Sequence, residues 1–254
     1  MGAGDEMLAS WVASCLLLSL RIAPTFLFAP PFTLVRMPRQ VLALIGLGLA
    51  AILVSANPGA RLHDVSAAAL ASAALGELML GLVPLLALQL MFSALYVTGR
   101  TIDIQSGYAL ALLIDPTSRT QTPLVGTLFA YIAGASFFAL DGHMALFRLW
   151  SAQLQVLPIG AAVHLGSVAV LGDYMFTISL AALGVGGAAI LALFLTDIVV
   201  AMLSRTVPQL NALLLGIQVK AILLLAVLPL AFGASAALYT QLVARALEAM
   251  KRLA

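Results

Sequence analysis

Four ionisable side chains, Arg21, Glu77, Asp197 and Lys220, each interrupt a long hydrophobic run. Charges so placed can do two kinds of work. They can carry protons or ions along a path, or they can pair with a neighbouring helix or subunit, or snorkel from a helix end. A charge at the centre of a bilayer costs about 3 kcal/mol on insertion scales, so each is expected to face protein or water and not lipid. No two acidic residues are spaced as a proton relay needs, which favours pairing. The other reactive side chains point away from catalysis. His63, His143 and His164 fall in or near connections and form no His-x-x-x-His ligand pair. There is no Gly-x-Ser-x-Gly elbow and no phosphate-cradling glycine loop. Gly184, Gly186 and Gly187 lie inside an apolar segment, where close helix packing is their expected use. Cys15 is the single cysteine and reads as a buried structural residue. The chain is read as a non-enzyme without metal or cofactor.

The elements that must position these charges follow from composition. The chain is 63% hydrophobic and 9% charged, with a mean hydropathy of +1.13. Soluble domains carry roughly 25% charged residues, and a compact fold of this length could not hide so much apolar surface from water. The composition predicts an integral membrane protein. A net charge of +2, with no basic run beyond Lys251-Arg252, gives no reason to expect nucleic acid. No cleavable signal peptide is expected, since the first apolar run follows Asp5-Glu6 and is long enough to span.

Apolar runs cover about 7–29, 40–56, 65–99, 123–140, 145–157, 174–203 and 207–247. None alternates with period two as a barrel strand does, and their Leu and Ala content favours helix. The third run is long enough to bend at Pro84, and the last could be one helix or a hairpin broken near Pro229 and Gly233, the hairpin fitting the topology better. Arg36, Arg39, Arg100, Arg205 and the Lys251-Arg252 tail fall at alternate connections, which predicts an external N-terminus and a cytoplasmic tail. Prolines recur at 24, 30, 31, 38, 84, 116, 123, 158, 208 and 229. Each removes a helical hydrogen bond, and in lipid the freed groups need protein or a wet cavity. So many breaks predict a chain surrounded by other helices or lining an aqueous path.

Four segments then resemble a known family. "RIAPTFLFAPPFTLVRMPRQVLALIGLGLA" carries Arg21, Ala29-Pro30, Pro38 and Arg39. "GRTIDIQSGYALALLIDPTSRTQTP" carries Gly99, Asp103, Gly107 and Asp115-Pro116. "DGHMALFRLWSAQLQVLPIG" carries Gly142-His143 and Leu157-Pro158-Ile159-Gly160. "LSRTVPQLNALLLGIQVK" carries Pro208-Gln209-Leu210-Asn211 and Gly216. In this order they resemble the FliR/SctT family of type III secretion export-gate membrane proteins. The "DGHMAL" and "LPIG" segments lean to the flagellar branch over the injectisome.

The resemblance implies an all-α membrane protein of long, broken and kinked helices. A P-like portion at about 1–205 is followed by a Q-like helical hairpin at about 206–254. It implies assembly with the P-type and Q-type subunits FliP and FliQ, and with the FlhB/SctU-type switch protein. The assembly is a closed channel that admits unfolded export substrates, in the bacterial inner membrane within a flagellar basal body or injectisome base. It also implies that the loop at about 106–122 projects into the pore. The residues suit a plug: Tyr108, Leu110, Leu112, Leu113 and Ile114 can form a dry constriction. Gly107 permits the entry bend, Asp115-Pro116 ends the apolar stretch, and Arg119 tolerates wet surroundings. The family often has methionine where this chain has Ser106. Arg21, Pro30, Pro38, Glu77, Pro208, Gln209, Asn211 and Lys220 are expected at helix breaks or at helix–helix and subunit contacts. Gly142-His143 is expected to form a turn. A second reading remains open: a secondary transporter with discontinuous helices around a midplane small-solute site. It requires inverted repeats, and none is visible in the sequence.

Overall fold

The computed structural model describes residues 3–62, 66–108, 123–161, 168–207 and 212–253. Helices account for nearly all of them, and among the described residues there is no strand. Eight α-helices follow in order among the described residues: α1 (Ala3–Phe28), α2 (Pro30–Thr33), α3 (Arg39–Ala56), α4 (Ala67–Ser106), α5 (Leu124–Ala139), α6 (Gly142–Val156), α7 (Val168–Thr206) and α8 (Ala212–Leu253), with a 3-10 turn at Pro58–Ala60. Among the described residues, five are long and apolar enough to cross a membrane: α1, α3, α4, α7 and α8. This is the all-helical membrane protein that the composition predicts.

The prolines behave in two ways. Pro30 opens α2 and Pro38 precedes α3, positions where a missing N–H costs nothing. Pro24, Pro84 and Pro229 instead lie inside continuous helices. The hairpin expected within 207–247 is therefore corrected, because residues 212–253 form one helix through Pro229 and Gly233. One proline removes one hydrogen bond, and the Leu- and Ala-rich turns on either side carry the helix past it. A C-terminal hairpin does exist, one element earlier, between α7 and α8. Ser235 Oγ donates to the Val185 carbonyl at 3.2 Å, and Lys220 meets Asp197, so the pairing is antiparallel.

The chain forms two compact units: 1–90 with 137–174 and 244–254, and 91–136 with 175–243. In the first, α1 crosses α4 where a side chain at Gly81 would fall 2.6 Å from the Leu20 carbonyl and 2.7 Å from that of Arg21. Pro24 cannot donate to Leu20, so this carbonyl lies free of its usual helical partner just where α4 comes closest. α1 and α3 cross at Gly46, whose Cβ would sit 3.1 Å from Ala23. The "LPIG" segment ties α6 to the α3–α4 connection, with Ile159 N–H donating to Ala60 at 3.2 Å. Gly160 adopts φ 84° against Leu62, a conformation and a clearance that favour glycine.

In the second unit, Gly186 lets α7 onto α4, since its Cβ would lie 2.5 Å from Thr98. Phe129 and Phe232 stack edge to face at 5.3 Å. Elsewhere apolar side chains face outward, among them Leu225 at 72% and Phe176 at 69% exposure, as expected of a chain covered by lipid or other helices.

The Gly81 crossing sets the first test. Gly81→Ala should destabilise the protein by about 1–3 kcal/mol, because the obstacle is backbone and cannot rotate away. Gly48→Ala, where nothing lies within 4 Å, should be neutral or stabilising by roughly 0.5–1 kcal/mol. Thermal stability in detergent measures both, and equal effects would contradict the crossing.

Candidate functional site

Two polar centres stand out, one in each unit. In the first unit, Arg21 and Glu77 are 0% and 2% exposed and form a two-toothed ion pair. Arg21 Nε donates to Glu77 Oε2 at 2.6 Å, and Nη2 donates to Oε1 at 2.8 Å. Nη2 also reaches the Leu157 carbonyl at 3.3 Å, so one guanidinium joins α1, α4 and the end of α6. Glu77 lies one turn before Gly81 on α4, so the pair and the close backbone approach share a face. The planar fork suits a carboxylate taken from water. The ion-pathway reading loses its first candidates here, because both charges are spent on each other within the chain. Arg21 was open to a partner on another helix or another subunit; the structure supplies the former.

In the second unit, polar contacts gather at the base of the 109–122 segment. α4 runs to Ser106, beyond the apolar run that marks it in the sequence, and brings Asp103 against the start of α5. The buried Asp103 carboxylate accepts from Val125 N–H at 3.1 Å and from Gly126 N–H at 3.3 Å. These are the second and third residues of α5, whose amides have no partner within the helix. A carboxylate there both caps the helix and meets the positive end of its dipole. Gly99 and Gly126 make the approach possible, since a Cβ on Gly99 would lie 2.5 Å from Gly126 Cα. The backbone therefore leaves at Gly107 and returns at Pro123 from one clamped point.

Other contacts stiffen the outgoing stem. Ser106, buried, donates from Oγ to the Asp103 carbonyl at 3.0 Å. Gly107 turns with φ 91°, in the left-handed region. Lys220 on α8 donates to the Gln105 carbonyl at 2.9 Å and pairs with half-exposed Asp197 on α7. Lys220 thus links the C-terminal hairpin to the stem.

Of the residues singled out in the sequence, Arg21 meets Glu77, Lys220 meets the stem, Gly107 makes the bend, and Tyr108 is half-buried. Leu110, Leu112, Leu113, Ile114, Asp115, Pro116 and Arg119 lie outside the described residues, as do Pro208, Gln209 and Asn211. His143 is exposed on the first turn of α6, its ring 5.8 Å from that of Phe138. The turn expected at Gly142-His143 falls just before them, at Asp141 with φ 55°. The role of Asp103 was missed. It was visible as part of a motif, and an acidic residue 22 positions ahead of an amide is not a capping signal in a sequence. Among the described residues no group of His, Cys, Asp and Glu could hold a metal.

Comparison with known proteins follows from this geometry. Residues 12–246 match the family described as bacterial export proteins, family 1. The chain is 30% identical over 151 residues to the flagellar biosynthetic protein FliR of Bacillus subtilis strain 168, covering 57% of each chain. It is 25% identical over 153 residues to FliR of Escherichia coli strain K12, covering 56% of this chain and 55% of that one. It is 28% identical over 148 residues to FliR of Pectobacterium carotovorum, again covering 56% and 55%. The matched segments thus span little more than half the length of these curated relatives.

Both centres are testable. Glu77→Leu leaves Arg21 buried and uncompensated and should cost about 3–5 kcal/mol, whereas adding Arg21→Met should restore most of it. Thermal stability of the two variants decides this; a double variant as unstable as the single would contradict the pair. Asp103→Ala should cost about 0.5–2 kcal/mol as a lost helix cap. Hydrogen exchange should then quicken at the Val125 and Gly126 amides, while the α1–α4 crossing stays protected.

Proposed function

Because the chain belongs to bacterial export proteins family 1, the FliR/SctT group that its motifs resemble, we propose that it is a subunit of a type III export gate. The match over residues 12–246 carries this reading. The gate is an assembly with P-type and Q-type subunits, FliP and FliQ, together with the FlhB/SctU-type switch protein. It sits in the bacterial inner membrane and passes unfolded export substrates. The flagellar system is favoured by the FliR relatives. The outward apolar faces of α7 and α8 suit partner helices, with a P-like portion at about 1–205 and a Q-like portion from about 206. No chemistry is asked of this subunit, which supplies a path and a barrier. The family match favours this reading over the transporter.

The loop at about 106–122 is the proposed plug. Asp103, Gly99–Gly126 and Lys220 support this by holding both of its ends at one rigid point. A barrier that must be displaced without disturbing the scaffold needs such a base. Leu112, Leu113 and Ile114 supply the dry constriction, and a hydrophobic gate excludes ions by dewetting.

The experiment removes residues 110–116 in cells that carry the whole complex. Ion leak should rise while complex abundance is unchanged, because the clamp of Asp103 on α5 and the Lys220 bond to Gln105 are left in place. Leu112→Ser with Leu113→Ser should act in the same direction, more weakly. Normal assembly without leak would contradict the plug, and loss of assembly would make the segment a structural connection.

A further inference from the structure

We propose that Lys220 and Asp197 latch the outgoing stem of the loop at about 106–122, with Lys220 capping the C-terminus of α4 from another helix. The last four carbonyls of an α-helix have no partner within it. On α4 three of those four are taken up one by one. Ser106 Oγ donates to the Asp103 carbonyl at 3.0 Å, and Gly107 N–H donates to that of Ile104 at 3.2 Å. The third, on Gln105, accepts from Lys220 Nζ at 2.9 Å. The first two donors belong to the stem itself, whereas Lys220 comes from α8, 115 positions away.

An ammonium suits this end of the helix by charge as well, because the dipole there is negative. Asp103 does the converse at the Val125 and Gly126 amides. The two helices that flank the loop are thus capped by opposite charges, a cation where α4 ends and an anion where α5 begins.

Asp197 decides where Lys220 points. A lysine carries a compact charge on a flexible four-carbon stem and has no direction of its own. A side chain at Gly216 on α8 would lie 3.5 Å from Val200 on α7, and the same antiparallel register sets Lys220 beside Asp197. The Lys220 side chain is 14% exposed and that of Asp197 46%, so the ammonium is drawn in between its two acceptors. A pair that served only to join α7 to α8 could carry its charges either way round. Capping α4 needs the cation on α8, because a carboxylate there would face a carbonyl oxygen and the negative end of the dipole. The polarity of the pair therefore separates a latch from a plain hairpin bridge.

Any effect on ion leak rests on the plug reading, so the test takes two readouts. Hydrogen exchange at the Gly107 amide in the assembled complex reads the stem alone, and leak in cells reads the barrier. Lys220→Met should speed exchange at Gly107 by roughly tenfold, the usual contribution of a hydrogen bond to a charged group, and raise leak. Lys220→Arg, which keeps the cation, should do neither, and Asp197→Asn should act as Lys220→Met does, more weakly. Reversing the pair, Asp197→Lys with Lys220→Asp, keeps the bridge between α7 and α8, so the complex should assemble. It should nonetheless exchange and leak as Lys220→Met does. Slow exchange at Gly107 in Lys220→Met or in the reversed pair would overturn the latch. Fast exchange in Lys220→Met without leak would uphold the latch and count against the plug. Leak on removing residues 110–116, with exchange in Lys220→Met unchanged, would uphold the plug and overturn the latch.

Discussion

The structure turns on one constraint: a polar group in an apolar surround must find its partner inside the protein. The Arg21–Glu77 pair meets it for the two charges, with Arg21 Nη1 the one guanidinium nitrogen left without a hydrogen-bond partner among the described residues. Two hydrogen bonds hold the charges together, and a third takes the Leu157 carbonyl. That carbonyl belongs to the turn whose Ile159 N–H reaches Ala60, so one charged pair sets the places of α1, α4, α6 and the α3–α4 connection. Ion pairs of this kind are weak evidence for stability as such, since desolvation consumes most of the attraction. Their value here is geometric. α1 and α4 carry no side-chain pattern that would otherwise choose one register between two greasy helices. A fork that fits in one orientation chooses it, and Gly81 one turn away lets the backbones close to match.

Asp103 meets the same constraint in the other unit. A helix that begins in an apolar setting exposes amides that water cannot reach. Here a carboxylate from an earlier helix supplies the acceptor. The capped helix is the one that follows the proposed plug. Lys220 brings the C-terminal hairpin to the same base.

Much of this was legible in the sequence, and the reasons differ by residue. The helices were legible because an apolar run long enough to span has few alternatives. The end of α4 was not: Gly99-Arg100-Thr101 reads as the start of a polar connection, yet the helix continues because Asp103 has amides to cap. Pro229 misled in the opposite direction, since a single proline flanked by strong helix formers need not end a helix. The charges at 21, 77 and 220 were expected to face protein or water, but their partners within the chain were not legible. Arg21 and Glu77 lie 56 positions apart, and no periodicity links them.

Under the proposed function, the loop at about 106–122 faces what passes along the export path. Site-specific cross-linking to a stalled export substrate in the assembled complex tests it most directly. A photoreactive residue at Leu112 should capture the substrate, and one at Leu225, on the outward face of α8, should not. Capture at Leu225 but not at Leu112, or at neither in a complex shown to hold substrate, would contradict the account.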